Sequence, residues 1–235
     1  MAIDSKSMME LDGTLNEQFD ELVKFCMRSG EINLDLYTEY DVKRGLRDSN
    51  GNGVLTGLTE ISDVTGTRID AGVKVPSDGR LFYQGYNVLE MIKGNENKRF
   101  CFEEATYLLL FGELPTDKQL KSFIEILTSL QEISGAFLRD VIMKAPSGNI
   151  MNALQKSVLT LYSYENPDDI TPANVLRQSL QLICKLPLIS VYAYYAYRHF
   201  RFDETLLIRT PQKGDSIAEN LLRMIHPDGK YTELE

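Results

Sequence analysis

The sequence predicts a mainly α fold, and three observations carry that expectation. Apolar residues recur at helical spacing through most of the chain. Helix-start signatures such as Thr-x-x-Gln and Thr-Pro precede several of those stretches. Residues with strand character, mixed with Gly, Asp and Thr, are confined to one patch from Val54 to Gly85. Helices in runs and strands in a single patch describe a helical body carrying small hairpins.

The elements follow in order. Between Leu15 and Met27, Leu15, Phe19, Leu22, Val23 and Cys26 fall on one helical face. Short β-hairpins are expected near residues 54–85, with Pro76-Ser77-Asp78-Gly79 as a turn ahead of the strand-like Leu81–Gln84. From Phe102 to Thr128 the chain reads as two helices: the first stops at Gly112, and Thr116 with Gln119 starts the second as a capping box. Leu120, Phe123, Ile124, Leu127 and Leu130 line one stripe of that second helix. Further helices are expected over Gly135–Met143, Ile150–Leu161, Pro172–Cys184, Leu188–Arg201 and Ser216–Ile225. Pro172 follows Thr171 as a first helical residue follows its cap.

Charge narrows the function classes. With 34 acidic and 25 basic residues among 235, a net −9, the chain has no broad positive field for nucleic acid or anionic membrane. An anionic ligand must therefore be held by local arginines. The N-terminus has no basic stretch followed by an apolar one, and no window reaches the ~18 apolar residues of a membrane helix; a cytoplasmic protein is expected. Cys26, Cys101 and Cys184 are odd in number and far apart, which supports neither a disulfide framework nor a zinc site. All three are expected to be buried.

Candidate chemistry is sparse. Asp48, Asn50 and Asn52, with Gly53, match the first half of a calcium-binding loop, but its closing position falls on Thr59 with Glu60 one residue late. A Gly/Asn turn is the alternative. Of the two histidines, His199 is expected to pack or cap at a helix end and His226 to lie in a helix-terminating turn. Neither has a partner at the spacing of a triad or a metal site. The tyrosine-rich stretch Val191–Arg198 reads as core or subunit interface, with a ligand-stacking face as the alternative. Tyr107–Phe111 is apolar at five consecutive positions, hence on all sides of its helix, which predicts either a central core helix or a homodimer interface.

Five stretches, taken in order, resemble the citrate synthase family. KRGLRDSNGNGVLTGLTEISDV resembles its G-L-R-G stretch and T-x-I-S-x-V strand, and DGRLFYQGYNVLEM its G-x-L-x-Y-R-G-Y-x-I-x-x-L motif. FEEATYLLLFGELPT is similar to the family's S-F-E-E-V-x-Y-L-L-L-x-G-E-L-P-T almost residue for residue. ICKLPLISVYAYYAYR and SIAENLLRMI resemble the I-A-K-L-P and A-x-N-F-L-x-M segments.

The resemblance implies that residues 1–235 are the N-terminal part of the citrate synthase large domain, a helical bundle, with residues 1–14 flexible. It implies a parent acyltransferase of the tricarboxylic acid cycle that condenses acetyl-CoA with oxaloacetate to citrate and CoA, acetyl-CoA serving as co-substrate without a tightly bound cofactor. The family's H-x-x-H-x-G-G-N-like stretch, its G-x-G-H motif and its catalytic aspartate follow the A-x-N-F-L-x-M segment. The chain is therefore expected to be a fragment, inactive alone, with no catalytic or metal-binding residue of its own. One binding residue carries over: Arg47 matches the arginine that reaches a CoA phosphate, although Asp48 stands where the family usually has Gly. A 2-methylcitrate synthase, a non-catalytic helical scaffold and a calcium-binding module are the alternatives. The family also implies a homodimer.

Overall fold

The computed structural model describes residues 13–43, 45–47, 51, 53–94, 98–165, 169–232 and 234–235. The chain divides into two compact units, Lys24–Pro115 and Met1–Val23 with Thr116–Glu235. In order, the elements are α1 (Gly13–Ser29), α2 (Asp35–Glu39), β1 (Ser62–Asp70), β2 (Val73–Tyr83), β3 (Tyr86–Asn87), α3 (Val88–Gly94), α4 (Cys101–Phe111), α5 (Asp117–Leu130), α6 (Gly135–Phe137), α7 (Ile150–Tyr162), α8 (Pro172–Phe202) and α9 (Ile217–Ile225). The expected mainly α class with short hairpins is what forms.

In the unit Lys24–Pro115, β1, β2 and β3 make an antiparallel sheet in that order. Its turns are at Ala71-Gly72 (φ 48° and 81°) and Gln84-Gly85 (φ 49° and 83°), pairs of left-handed residues that match the twist of the flanking strands. Pro76–Gly79, expected as a turn, instead lies inside β2. Thr65 pairs with Arg80 and Thr67 with Pro76, so Ser77–Gly79 bulge opposite Gly66. The physical reason is that Ala71-Gly72 already reverses the chain, and a proline without an N–H is tolerated where the ladder is interrupted.

α4 ends as the sequence suggested. Gly112 takes φ 82°, and its N–H closes on Leu108 O at 2.9 Å. A Cβ on Gly112 would come within 3.0 Å of Ser29 Cβ, so space as well as backbone conformation demands glycine. Tyr107, Leu108 and Phe111 are buried, so that side of α4 is core, while Leu109 and Leu110 are half-buried and Phe102 is exposed.

In the other unit, Thr116 and Gln119 form the expected capping box on α5, with Thr116 N–H to Gln119 Oε1 at 2.8 Å. The stretch Gly135–Met143 departs from a plain helix: after α6, Leu138–Met143 widens into π-helix, closed by Lys144 N–H on Arg139 O at 2.9 Å. The two helices expected over Pro172–Cys184 and Leu188–Arg201 are one, α8, with Pro187 inside it. An internal proline costs about 3 kcal/mol through its lost hydrogen bond and ring clash. Leu180, Leu188, Ile189, Val191 and Tyr192 are buried around it, and at ~1.5–3 kcal/mol per large apolar side chain their packing outweighs the break. The C-terminal half of α8 is the centre of the core, with Phe137, Ile142, Ala153 and Met224 packed on it.

Candidate functional site

Arg47 lies in a narrow loop of the unit Lys24–Pro115. Its backbone bridges antiparallel to Gly53, and Lys43 N–H donates to Leu55 O at 2.8 Å below it. The Arg47 guanidinium is exposed and donates Nη1–H to Gly51 O at 2.7 Å. A guanidinium carries five donors in a rigid fork, so an anchored arginine at a loop rim suits a phosphate. Asp48, Asn50 and Asn52 of the calcium-like loop lie outside the described residues. Among the described residues no group of three or more His, Cys, Asp or Glu gathers as metal ligands do.

The same unit carries a groove of about 500 Å³ beside β2, β3, α3 and α4. Phe82 and Tyr86 supply aromatic surface, Arg80 a cation, and Lys98 with Glu104 an ion pair. Lys98 Nζ donates to both Glu104 oxygens at 2.9 and 3.3 Å, which allows the carboxylate to sit largely buried in the first turn of α4. Sequence reasoning missed these residues. The available signal was Glu103-Glu104 inside an otherwise apolar run, since carboxylates are rarely buried without a partner. Cys101 is partly exposed at the start of α4, and burial, followed by the Glu104 carboxylate, pushes its thiol pKa up, leaving it protonated and poorly nucleophilic. Cys26 is also partly exposed and its thiol is raised by burial. Only Cys184 is fully buried as expected. The other two sit near helix ends, where packing is incomplete.

The two histidines belong to the other unit and are engaged locally. His199, in the last turn of α8, makes a 2.7 Å contact from Nδ1 to Glu204 O. His226 terminates α9, and its Nε2 lies 2.9 Å from Glu235 Oε1. Within the tyrosine run Tyr192 and Tyr195 are core: Tyr192 donates its hydroxyl to Arg209 O at 2.8 Å and Tyr195 to Ile225 O at 2.7 Å. Burial raises both phenols, so they stay neutral donors rather than acids. These two present no stacking face, while Tyr194 and Tyr197 are half-buried.

Among the described residues no helix is long and apolar enough to cross a membrane. The family model described as citrate synthase, C-terminal domain, matches residues 49–235. Of curated relatives, 2-methylcitrate synthase 2 of Corynebacterium glutamicum is 26% identical over 193 residues, 82% of this chain and 44% of the relative. Citrate synthase of the same organism is 28% identical over 174 residues, 73% of this chain and 36% of the relative. Citrate synthase of Haloferax volcanii is 29% identical over 192 residues, 79% of this chain and 44% of the relative. The chain thus spans less than half the length of these relatives. The fold is similar to that of crystalline Pyrobaculum aerophilum citrate synthase, with TM-score 0.60, 24% identity, and coverage of 79% of this chain and 45% of that one.

Proposed function

The chain belongs to the citrate synthase family, and from that premise we propose that the protein serves the condensation of an acyl-CoA thioester with oxaloacetate, giving a citrate-type product and CoA. The family match over residues 49–235 is the observation that carries this reading. Both compact units are taken as parts of the family's large domain.

The chemistry requires a base to remove a proton alpha to the thioester and a preorganised donor for the enolate oxygen. In this reading neither His199 nor His226 is that base; their contacts are local, His199 with Glu204 O and His226 with Glu235. The 235 residues contribute binding: Arg47 donates to a CoA phosphate with the acyl-CoA as co-substrate, and no tightly bound cofactor is involved. Taken by themselves, these residues do not turn over substrate. The protein acts in the cytoplasm, as a homodimer, within the tricarboxylic acid cycle. Support for self-association comes from α7, which exposes Met151, Leu159 and Tyr162 to 61%, 67% and 56%.

A second reading, propionyl-CoA as the thioester, is favoured by the 2-methylcitrate synthases among the relatives. One added methylene changes discrimination by only about 1–3 kcal/mol, so pocket residues rather than fold decide it. The test is oxaloacetate-dependent release of CoA thiol with acetyl-CoA and propionyl-CoA assayed in parallel.

A further inference from the structure

The groove beside the sheet carries charges that its own residues leave unused. Arg80 and Phe82, two positions apart on β2, share one face of the sheet. Phe82 pairs with Asn87 of β3, which places Asn87 on that face as well. From α3 the groove takes Glu90 and Met91, and from the segment after α4 it takes Leu114. Gly85 and Gly94 also line it, and a Cβ at either would meet nothing within 4 Å, so the space beside them is open. At about 500 Å³ the groove has the size of a small-molecule site, ~300–1,000 Å³.

Lys98 and Glu104 neutralise each other. The Arg80 guanidinium and the Glu90 carboxylate do not: neither makes a hydrogen bond or ion pair, with the other or elsewhere among the described residues. Asn87 spends its Oδ1 on Leu89 N–H at 2.9 Å, which leaves its Nδ2–H donors without an acceptor among the described residues. The groove therefore offers a guanidinium and an amide donor on the sheet, a carboxylate on α3, and apolar surface from Phe82, Met91 and Leu114. Its charges sum to zero, two cations against two carboxylates.

We propose that this groove binds a free α-amino acid with a large apolar side chain, as the zwitterion. Its carboxylate accepts from the Arg80 fork and from Asn87 Nδ2–H. Its ammonium group donates to Glu90, and its side chain lies on Phe82, Met91 and Leu114. A ligand bearing both charges bridges the two groups that cannot reach each other. A polyphosphate meets repulsion from Glu90 and Glu104, and a simple amine meets it from Arg80. The inference goes beyond the condensation and needs neither a thioester nor oxaloacetate, so each can fail without the other.

The experiment is calorimetric titration of the 235-residue chain with L-phenylalanine and L-leucine. At least one is expected to bind saturably with Kd of about 1 mM or tighter. Two analogues of phenylalanine are compared: 3-phenylpropanoate, which lacks the ammonium group, and phenethylamine, which lacks the carboxylate. Each is expected to bind at least about tenfold more weakly than the amino acid. Arg80→Ala and Glu90→Gln, shown by circular dichroism to be folded, are each expected to weaken amino-acid binding by about tenfold or more. No saturable binding of either amino acid at about 10 mM, equal binding of a single-charge analogue, or an affinity unchanged in either variant overturns the proposal.

Discussion

Asn220 donates from its carboxamide nitrogen to Gln131 Oε1 at 3.1 Å, a buried side-chain bond between residues 89 positions apart. Asn220 is 1% exposed and fully used: its Oδ1 takes Gln212 N–H at 2.8 Å, and its Nδ2 also reaches Gln212 O at 3.2 Å. It ties α9 to the segment before it and to the end of α5.

Substituting Asn220→Ala strands the Gln212 N–H and the Gln131 carboxamide in a low-dielectric interior. Leaving such groups unsatisfied costs about 1–3 kcal/mol each, so the variant should lose about 3 kcal/mol in urea unfolding. A loss within experimental error of zero would show that water replaces the side chain.

The Glu165–Arg177 pair gives a pH signature. Burial pushes the Glu165 carboxyl up, but the hydrogen bonds from Arg177 and Gln178 and the nearby positive charge carry it below the usual carboxylate range. A carboxyl depressed on folding contributes stability that is present above the unfolded pKa of ~4.3 and is lost as pH falls through the lower folded value. Glu165→Gln should therefore cost about 3 kcal/mol at neutral pH, where it leaves Arg177 without its carboxylate at side-chain exposures of 14% and 12%. The gap to the parent should close towards about pH 3. A gap that is constant across that range contradicts the assignment.

The parts of this architecture that the sequence made legible are those fixed by local chemistry. Gly112 and the Thr116–Gln119 box mark their helix ends through backbone conformation and caps, which depend on residues within one turn. Pro187 misled because local propensity was overridden by burial on both sides of it. Pro76–Gly79 misled because its turn residues are also bulge residues, and Ala71-Gly72 was not distinguishable as the real reversal. In the candidate site, the assignment of Arg47 rests on a motif resemblance, whereas the Lys98–Glu104 pair depends on a fold-dependent meeting with Arg80, Phe82 and Tyr86 that no spacing announces.

Arg47→Ala tests the binding role. Loss of one charge-assisted contact to phosphate weakens binding of the acyl-CoA. About a tenfold rise in Kd for CoA, measured by calorimetry on the 235-residue chain, is expected, the low end for one such contact. An unchanged Kd removes Arg47 from the site.

Self-association is read by sedimentation at micromolar concentration. The parent chain should sediment as a dimer, and Leu159→Glu, which places a charge on the exposed apolar face of α7, should shift it to monomer without loss of helical signal. A monomer at every concentration contradicts the homodimer.

Oxaloacetate-dependent release of thiol from acyl-CoA, in extracts of the source cells with the gene intact and with it deleted, tests the central claim most directly. The expected result is release, with acetyl-CoA or propionyl-CoA, that falls when the gene is deleted. Release from both thioesters that is unchanged by the deletion would contradict the claim.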